Sequence, residues 1–585
     1  MKDFLKYTLA TITGIVLSGI LLTILIVAAL IGGIASSTNQ EVVINKTSVL
    51  SLKLDGALNE RAIDNPVLDL LNSGRSTHGL KDLLDAIKKA KKHPSIKGIY
   101  LEAGSLSASF ASLEAIRNAL IDFKESGKFI VSYGDQYSQG LYYIASVADE
   151  VHLNPKGGLH WAGLSVQPMF YTDLLKKVGV DMQIFKVGTY KSAVEPYTET
   201  QMSEANREQM AVFLTDIWSH LLTNVAQARA IPTEKLDELA DEMMLFQPTE
   251  YALEQGLVDQ LSYRSDLEEA LKRLLGEEEA PRFISFNKMK TVTFKDTTQS
   301  DGRIAVYYAE GGIADQGNKY EVEIIGNTVV KDLKKLEEDK RIKAVVLRVN
   351  SPGGSAYASE QIWKAVMNLK AKKPVVVSMG DYAASGGYYI SAAADWIVAE
   401  PTTLTGSIGI FAMIPSFEKV AAKVGLKFDV VKTNKHADFG SLFRSLDSGE
   451  QQLLQTYINE GYDLFIKRCA DGRHLANDSI RLIAEGRVWT GSRALQLGLV
   501  DQLGGIEEAI AVAAEKAELT NYRLASYPRE KSFLDQLMEI SAQDMVQTYM
   551  RGGKLKEIYE QIESVDQLLG DSFLQARLPY VLNFN

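Results

Sequence analysis

The chain has a single cysteine, Cys469, among 585 residues. No intrachain disulfide can form, and no second thiol completes a CxxC or metal-binding set, so Cys469 reads as a packing residue. A block rich in lysine or arginine is also missing. With a formal net charge of −11 and a pI near 5.4, the composition argues against nucleic acid as a partner. No His/Cys/Asp spacing resembles a ligand set, so neither metal nor cofactor is implied. Charge is absent between Lys6 and Glu41. Within that gap the segment from Leu9 to Ile34 is almost wholly apolar, long enough to span a hydrocarbon core of about 30 Å with tilt. Residues 1–40 are therefore expected to form one uncleaved signal-anchor transmembrane helix, with the small residues of GGIASS leaving signal cleavage as the alternative. Lys2 and Lys6 put the N-terminus in the cytoplasm by the positive-inside rule. The rest of the chain then lies outside, in a bacterium in the periplasm against the inner membrane.

What the chain does contain is a repeat. Residues 131–149, VSYGDQYSQGLYYIASVAD, return 246 positions later at 377–395 as VSMGDYAASGGYYISAAAD. IKGIYLEAGSLSAS at 96–109 answers IKAVVLRVNSPGGS at 342–355 at the same offset, and GLVDQL at 256–261 answers GLVDQL at 498–503 at an offset of 242. Such agreement at fixed spacing marks a tandem duplication. With 46% hydrophobic and 23% charged residues, each half can bury a core of its own. Each half opens on a strand (VLSLKLDG, RIAVYYAEGG), continues with an amphipathic helix, a buried strand, a second helix and a third strand (KFIVSYG, KPVVVSMG). Strand alternating with helix predicts an α/β fold with a parallel sheet and right-handed crossovers. The expected division is 41–300 for the first repeat, with 285–302 as linker, 301–528 for the second, and a helical extension over 529–585.

The copies disagree where chemistry matters. The second has Ser385 where the first has Gln139, and SPGGS (351–355) where the first has SLSAS (105–109). In an α/β sheet, ligands bind at the carboxyl ends of the strands, where both second-half loops fall. Glycine pairs let a substrate approach main-chain N–H groups. The N–H groups of Gly354 and Gly386, the latter opening a helix, are therefore the candidate oxyanion donors for an attack by Ser385. A serine nucleophile needs a positioned base. None of the seven histidines (His78, His93, His152, His160, His220, His436, His474) sits in both copies, and only His436 falls in a segment placed near the site, so a Ser-His-Asp triad is poorly supported. A lysine whose charge is removed by burial can serve. Lys191, in VGTYKSAVEPYTE, is the candidate, and Lys435, at nearly the same place in its own repeat, is the rival. Polar neighbours (Lys432, Asn434, His436, Asp438) would keep Lys435 charged.

GTYKSAVEP, SPGGS and DYAASGGYY in one chain, behind an apolar N-terminal run, closely resemble the signal peptide peptidase A family in its long, duplicated form, a Ser/Lys protease family of bacteria. The resemblance covers both halves and implies a crotonase- or caseinolytic-protease-like fold in each. It also implies Ser385 as nucleophile, Lys191 as general base, Gly354 and Gly386 as oxyanion donors, and a homotetramer acting on released signal peptides and other hydrophobic, membrane-associated fragments. In single-repeat members serine and lysine come from different subunits about fifty residues apart in sequence. That spacing implies a live pair, Lys191 with Ser385, and a silent pair, Lys435 with Gln139.

Other readings stand beside this one. SPGG can be a structural turn, Ser385 a helix cap, and Lys191 a solvated surface residue. A non-catalytic crotonase-fold membrane scaffold and an acyl-CoA hydratase or thioesterase are the competing functions. Tyr142/Tyr388 and Tyr143/Tyr389 recur in both copies and read as helix packing, and Asp135/Asp381 as turn chemistry.

Overall fold

The structure is a computed structural model. It describes residues 46–62, 77–294, 300–317, 322–529 and 575–577, with isolated positions before residue 46. The apolar run Leu9–Ile34 lies for the most part outside the described residues. Among the described residues no helix is long and apolar enough to cross a membrane.

The first half is built on strands β1 (Ser48–Asn59), β2 (Ile96–Ser107), β3 (Phe129–Tyr137) and β4 (Glu150–Leu159), joined in parallel in that order. Helix α1 (Leu80–Lys92) buries Leu80, Leu83, Ala86, Ile87 and Ala90, the three- and four-residue spacing of one helical face. It closes on Lys89, Lys91 and Lys92, cations that suit the negative end of the helix. Helix α2 (Phe110–Lys124) and the short α3 (Gln139–Ala145) cover the sheet beside it. An outlying strand, β5 (Asp181–Lys186), and the long α4 (Glu204–Arg229) follow. The linker stretch opens with a short helix, Phe286–Thr291, that seats Met289 in the first half's core.

The second half repeats the plan. β6 (Gly302–Glu310) is followed by β7 (Gly312–Ala314), the short strand Glu323–Ile325 and β8 (Ile342–Ser351). β9 (Gly353–Ser355) and β10 (Val375–Ala384) come next, and β6, β8 and β10 lie side by side in parallel as β1, β2 and β3 do. β8 is buried at almost every position, as expected of a parallel strand covered on both faces. α5 (Gly326–Glu338), α6 (Ala356–Lys370) and α7 (Gly386–Ser391) match α1, α2 and α3. The recurring side chains explain their recurrence. Tyr142 donates to the Leu257 carbonyl at 2.8 Å and Tyr388 to the Leu499 carbonyl at 2.9 Å. Tyr143 donates to Glu114, and Tyr389 to Glu360. All four are buried packing residues, as expected from the sequence. Cys469 is fully buried too, and burial pushes its thiol up.

Further on lie β11 (Phe411–Ser416), α8 (Ser448–Arg473) and β12 (Tyr522–Tyr527). The extension beyond 529 is described only at Gln575–Arg577, a strand here called β13. A third sheet joins the halves, in the order Glu323–Ile325, β7, β9, β13, β11, β5. Its β5 belongs to the first half and runs antiparallel to β11 of the second, from Asp181 against Ser416 to Lys186 against Phe411. Buried polar contacts also cross between the halves. Arg348 and Glu60, both buried, form an ion pair at 2.9 Å. Asp381 accepts hydrogen bonds from the Ser112 backbone N–H and Oγ, each at 2.9 Å. Asp381 is thus a joint between the repeats, whereas its counterpart Asp135 accepts from Tyr133 and Asn154 within its own half. The expectation of shared turn chemistry is corrected for Asp381.

Candidate active site

β10 runs into Ser385, and α7 starts at the next residue. Ser385 takes φ 55°, ψ −114°, a region that non-glycine residues occupy only when their surroundings force them. Two main-chain bonds do so: the Ser385 N–H donates to the Gly406 carbonyl, and the Ser385 carbonyl accepts from the Tyr389 N–H, both at 2.8 Å. Its side chain makes no capping bond, so the reading of Ser385 as a helix cap fails. The strained turn instead turns the hydroxyl toward a lysine.

That lysine is Lys191. Its Nζ lies 2.8 Å from Ser385 Oγ, 3.1 Å from Ser407 Oγ and 3.2 Å from the Ser407 carbonyl. The side chain is fully buried, which overturns the reading of a surface lysine. Burial alone lowers its pKa from 10.5 to about 7, because the low-dielectric surroundings disfavour the ammonium ion. The nearby Glu195 is occupied elsewhere, accepting from Ser203 Oγ at 2.6 Å and Asn206 Nδ2 at 2.8 Å. Lys191 comes from the first half and Ser385 from the second, within one chain.

The lysine loop is clamped onto the second half. The Tyr190 N–H donates to the Glu485 carbonyl at 2.9 Å, and Gln209 of α4 bridges from the Tyr190 carbonyl (3.1 Å) to the Val488 N–H (3.2 Å). Arg487 stacks on the Tyr190 ring at 4.5 Å and pairs with Glu208 at 2.8 Å. Gly486, at φ 78°, lies directly under the lysine: a Cβ there would stand 2.7 Å from both the nitrogen and the Cβ of Lys191.

The SPGGS loop forms β9 beside this pair. Gly353 has φ 99°, and a Cβ on it would come within 2.8 Å of the Gly386 nitrogen. Gly354 stands in register between Ile313 of β7 and Ala576 of β13. Ser355 caps α6 by accepting from the Ala358 N–H at 3.2 Å and donates to Asp315 at 2.7 Å, a structural duty for the last serine of the motif.

The first copy has no such arrangement. Gln139 accepts from the Ala162 and Gly163 N–H groups at 3.0 and 3.1 Å and donates to the Gly163 carbonyl at 3.1 Å. Its amide satisfies the loop backbone and leaves nothing to activate. The rival Lys435 is exposed beside Gly449, away from any hydrogen bond to Ser385. His436 pairs with Glu450 at 3.3 Å, and no histidine bonds Ser385 among the described residues. The cluster His436, Asp447 and Glu450 is the only described set with metal-like spacing. Arg444 grips Glu450 at 2.7 and 2.8 Å, so an ionic latch accounts for it.

Comparison with known proteins agrees with the duplication. Residues 122–277 and 367–520, one stretch in each half, match the sequence profile of Peptidase family S49. The chain belongs to that family. Residues 317–399 also match the Clp protease profile. Protease 4 of Salmonella typhi is 38% identical over 506 residues, covering 85% of this chain and 79% of that protein. Protease 4 of Haemophilus influenzae is 37% identical over 542 residues, covering 88% and 87%. The chloroplastic serine protease SPPA of Arabidopsis thaliana is 33% identical over 484 residues, covering 81% and 70%. The S49 stretches contain both Lys191 and Ser385. Sequence reading missed Ser407, Gly486 and Gln209. The one signal for Ser407 was its place in TGSIG, between glycines and directly after the short strand Leu404–Gly406.

Proposed function

We propose that this S49 chain is a membrane-anchored serine endopeptidase working through a Ser385–Lys191 dyad. The observation that carries the proposal is a fully buried lysine amine 2.8 Å from a buried serine hydroxyl. With its pKa lowered to about 7, Lys191 is largely neutral near pH 8 and takes the Ser385 proton as the oxygen attacks a peptide carbonyl. Ser407, bonded to the same Nζ, orients the amine. The carbonyl oxygen gains negative charge beside the glycine loop, where the N–H groups of Gly386 and of Gly354 are the proposed donors. Lys191 returns the proton to the leaving amine, and water, deprotonated in turn by Lys191, releases the acyl group and restores the Ser385 hydroxyl.

The names of the relatives, Protease 4 and serine protease SPPA, support proteolysis as the activity. The proposed substrates are released signal peptides and other membrane-associated fragments. Leu9–Ile34 is the proposed anchor in the bacterial inner membrane, with Lys2 and Lys6 inside and the repeats in the periplasm. A homotetramer is the proposed assembly. What supports a neighbouring copy is exposed apolar surface at Val424, Leu426, Phe428, Val430 and Val431, in the second half's counterpart of β5, where no described strand pairs with it.

The test is hydrolysis of a fluorogenic peptide by the wild type, Ser385→Ala, Lys191→Ala and Lys435→Ala. The first two substitutions abolish turnover and the third leaves it intact. Undiminished turnover in Ser385→Ala would end the proposal, and loss in Lys435→Ala but not Lys191→Ala would reassign the base.

A further inference from the structure

The turn that carries Lys191 is held by one buried side chain of the helix behind it. Gln209 lies on α4 and is almost wholly buried. Its amide nitrogen donates to the Tyr190 carbonyl and to Ser192 Oγ, each at 3.1 Å, and so grips the residues on both sides of Lys191. A further bond, to Asn206 Oδ1 at 3.2 Å, joins it to the residue three positions back on the same helix face. Asn206 in turn donates to Glu195 at 2.8 Å. The bonds therefore leave the lysine turn at Tyr190 and Ser192, run along the first turns of α4 and return to the chain at Glu195. Glu195, Asn206 and Gln209 are all buried.

The amide oxygen of the same glutamine faces the other half. It accepts from the Val488 N–H at 3.2 Å, and Val488 opens a short strand, Val488–Thr490, that runs antiparallel to Leu404–Gly406. This pair of strands holds the serines. The Gly406 carbonyl, on the residue opposite Val488, accepts from the Ser385 N–H at 2.8 Å, and the Arg487 carbonyl accepts from the Ser407 N–H at 2.7 Å. One side chain thus ends on the support of the lysine and, at its other end, on the support of the serine. Its amide can sit only one way round, because the Tyr190 carbonyl can only accept and the Val488 N–H can only donate.

We propose that Gln209 is a positioning residue for the Lys191–Ser385 pair, its two-ended amide fixing where the base stands relative to the nucleophile. This rests on the dyad reading above. Reacting groups tolerate little error, since a misplacement of about 1 Å costs on the order of a hundredfold in rate. A side chain that merely glued the halves together would act through stability and leave the folded enzyme as fast as before. The molecule supplies a control for that alternative. Asp216, about two turns further along α4, accepts from Thr490 Oγ at 3.1 Å and pairs with Arg493 at 2.8 Å. It ties the same helix to the same strand without bonding the lysine turn.

The experiment compares full-length wild type, Gln209→Met, Gln209→Glu, Asp216→Asn and Lys191→Ala for melting temperature and, on a fluorogenic peptide, for kcat, KM and the pH dependence of kcat/KM. Methionine keeps the length of glutamine and makes none of its bonds. Glutamate keeps the acceptor for Val488 and loses the donors to Tyr190 and Ser192. Both variants should lower kcat by about tenfold or more with KM within about twofold of the wild type. The apparent pKa should move from about 7 toward 10.5 as the loosened turn admits water to the ammonium group. The added charge of glutamate acts on the pKa in the same direction, so methionine decides where both variants fold. Where Gln209→Met does not fold, the kcat and KM of Gln209→Glu carry the test. Asp216→Asn should lower the melting temperature and keep the wild-type kcat and pKa. Wild-type kcat and pKa in the deciding Gln209 variant would overturn the proposal. So would an equal loss of kcat in Asp216→Asn, because attachment of the halves would then explain both. Full turnover in Lys191→Ala would mean that the dyad reading has failed and the positioning role with it. A dead Lys191→Ala beside an unimpaired Gln209→Met would leave the dyad standing and remove Gln209 from it.

Discussion

A lysine side chain in a dry site is held there against its preference for water, and the opposing stability cost is what fits it for the proposed role of base. Lys191 has a pKa near 7 in the fold and 10.5 when exposed, so between those values the unfolded chain binds the proton and the folded chain does not. Stability of the wild type therefore rises with pH across that window, and below pH 7 the folded state bears the whole burden of a buried charge. Lys191→Met, similar in volume and uncharged, should raise the melting temperature. The gain should be largest near pH 6 and fall by roughly half at pH 9, as read by differential scanning fluorimetry. A pH-independent gain would mean that Lys191 is not desolvated. The same titration should appear in catalysis as a kcat/KM that climbs with pH through an apparent pKa near 7, where a surface lysine would give one above 10. Both members of the proposed dyad were legible in the sequence because the copies could be compared: a serine opposite a glutamine, and a lysine in an apolar context opposite one in a polar context. Ser407 was not, because serine beside glycine is the composition of any turn and only the folded loop brings it to Nζ.

At the level of elements, the site depends on loops that belong to one half and rest on the other. The parallel strands were readable, since apolar runs such as IKAVVLRVN can only be strands buried on both faces. The third sheet was not. β13 is three residues long, and its strand character comes from the edges of β9 and β11 and from no periodicity of its own. Gly486 shows the same limit: nothing in AEGRVWT indicates that Lys191 lies against it. The contact has a measurable consequence. Gly486→Ala must carry a side chain at φ 78°, a conformation costing roughly 1 kcal/mol for alanine, with its methyl group 2.7 Å from the lysine backbone. The lysine loop should shift, and a displacement on the order of 1 Å at a reacting group lowers the rate by about a hundredfold. A hundredfold loss of kcat with the melting temperature lowered by only a few degrees would place the damage in the loop. An unchanged kcat would show that the loop has room to yield.

At the scale of the whole molecule, the proposed base and nucleophile sit in different halves and can act together only while the halves stay docked, and a buried charge pair sits at that joint. Arg348 lies on β8 and Glu60 just beyond β1. Besides Glu60, the guanidinium donates to Ser378 Oγ and to the Met379 carbonyl, each at 2.9 Å. Around it lie further acids. Burial and the charge of Glu60 push up the carboxyl groups of Glu310 and Asp381. Burial also holds Glu400 at about 8, with neither of its oxygens bonded. Removing the cation while keeping the acids is the most damaging change available here, because an uncompensated buried charge costs about 3–5 kcal/mol whereas an apolar pair of the same volume costs little. Arg348→Met should destabilise the chain by about that amount at pH 8 and by less at pH 5, since carboxyl groups with raised pKa values are neutral there and no longer need the arginine. Adding Glu60→Gln should recover much of the loss at pH 8. Activity should track docking, falling in the single variant at temperatures where its halves separate and returning in the double. Denaturant titrations of the wild type, both singles and the double at the two pH values give the coupling directly. A double variant no more stable than Arg348→Met would show that the arginine acts through Ser378 and Met379 on β10, and not through its partner across the joint.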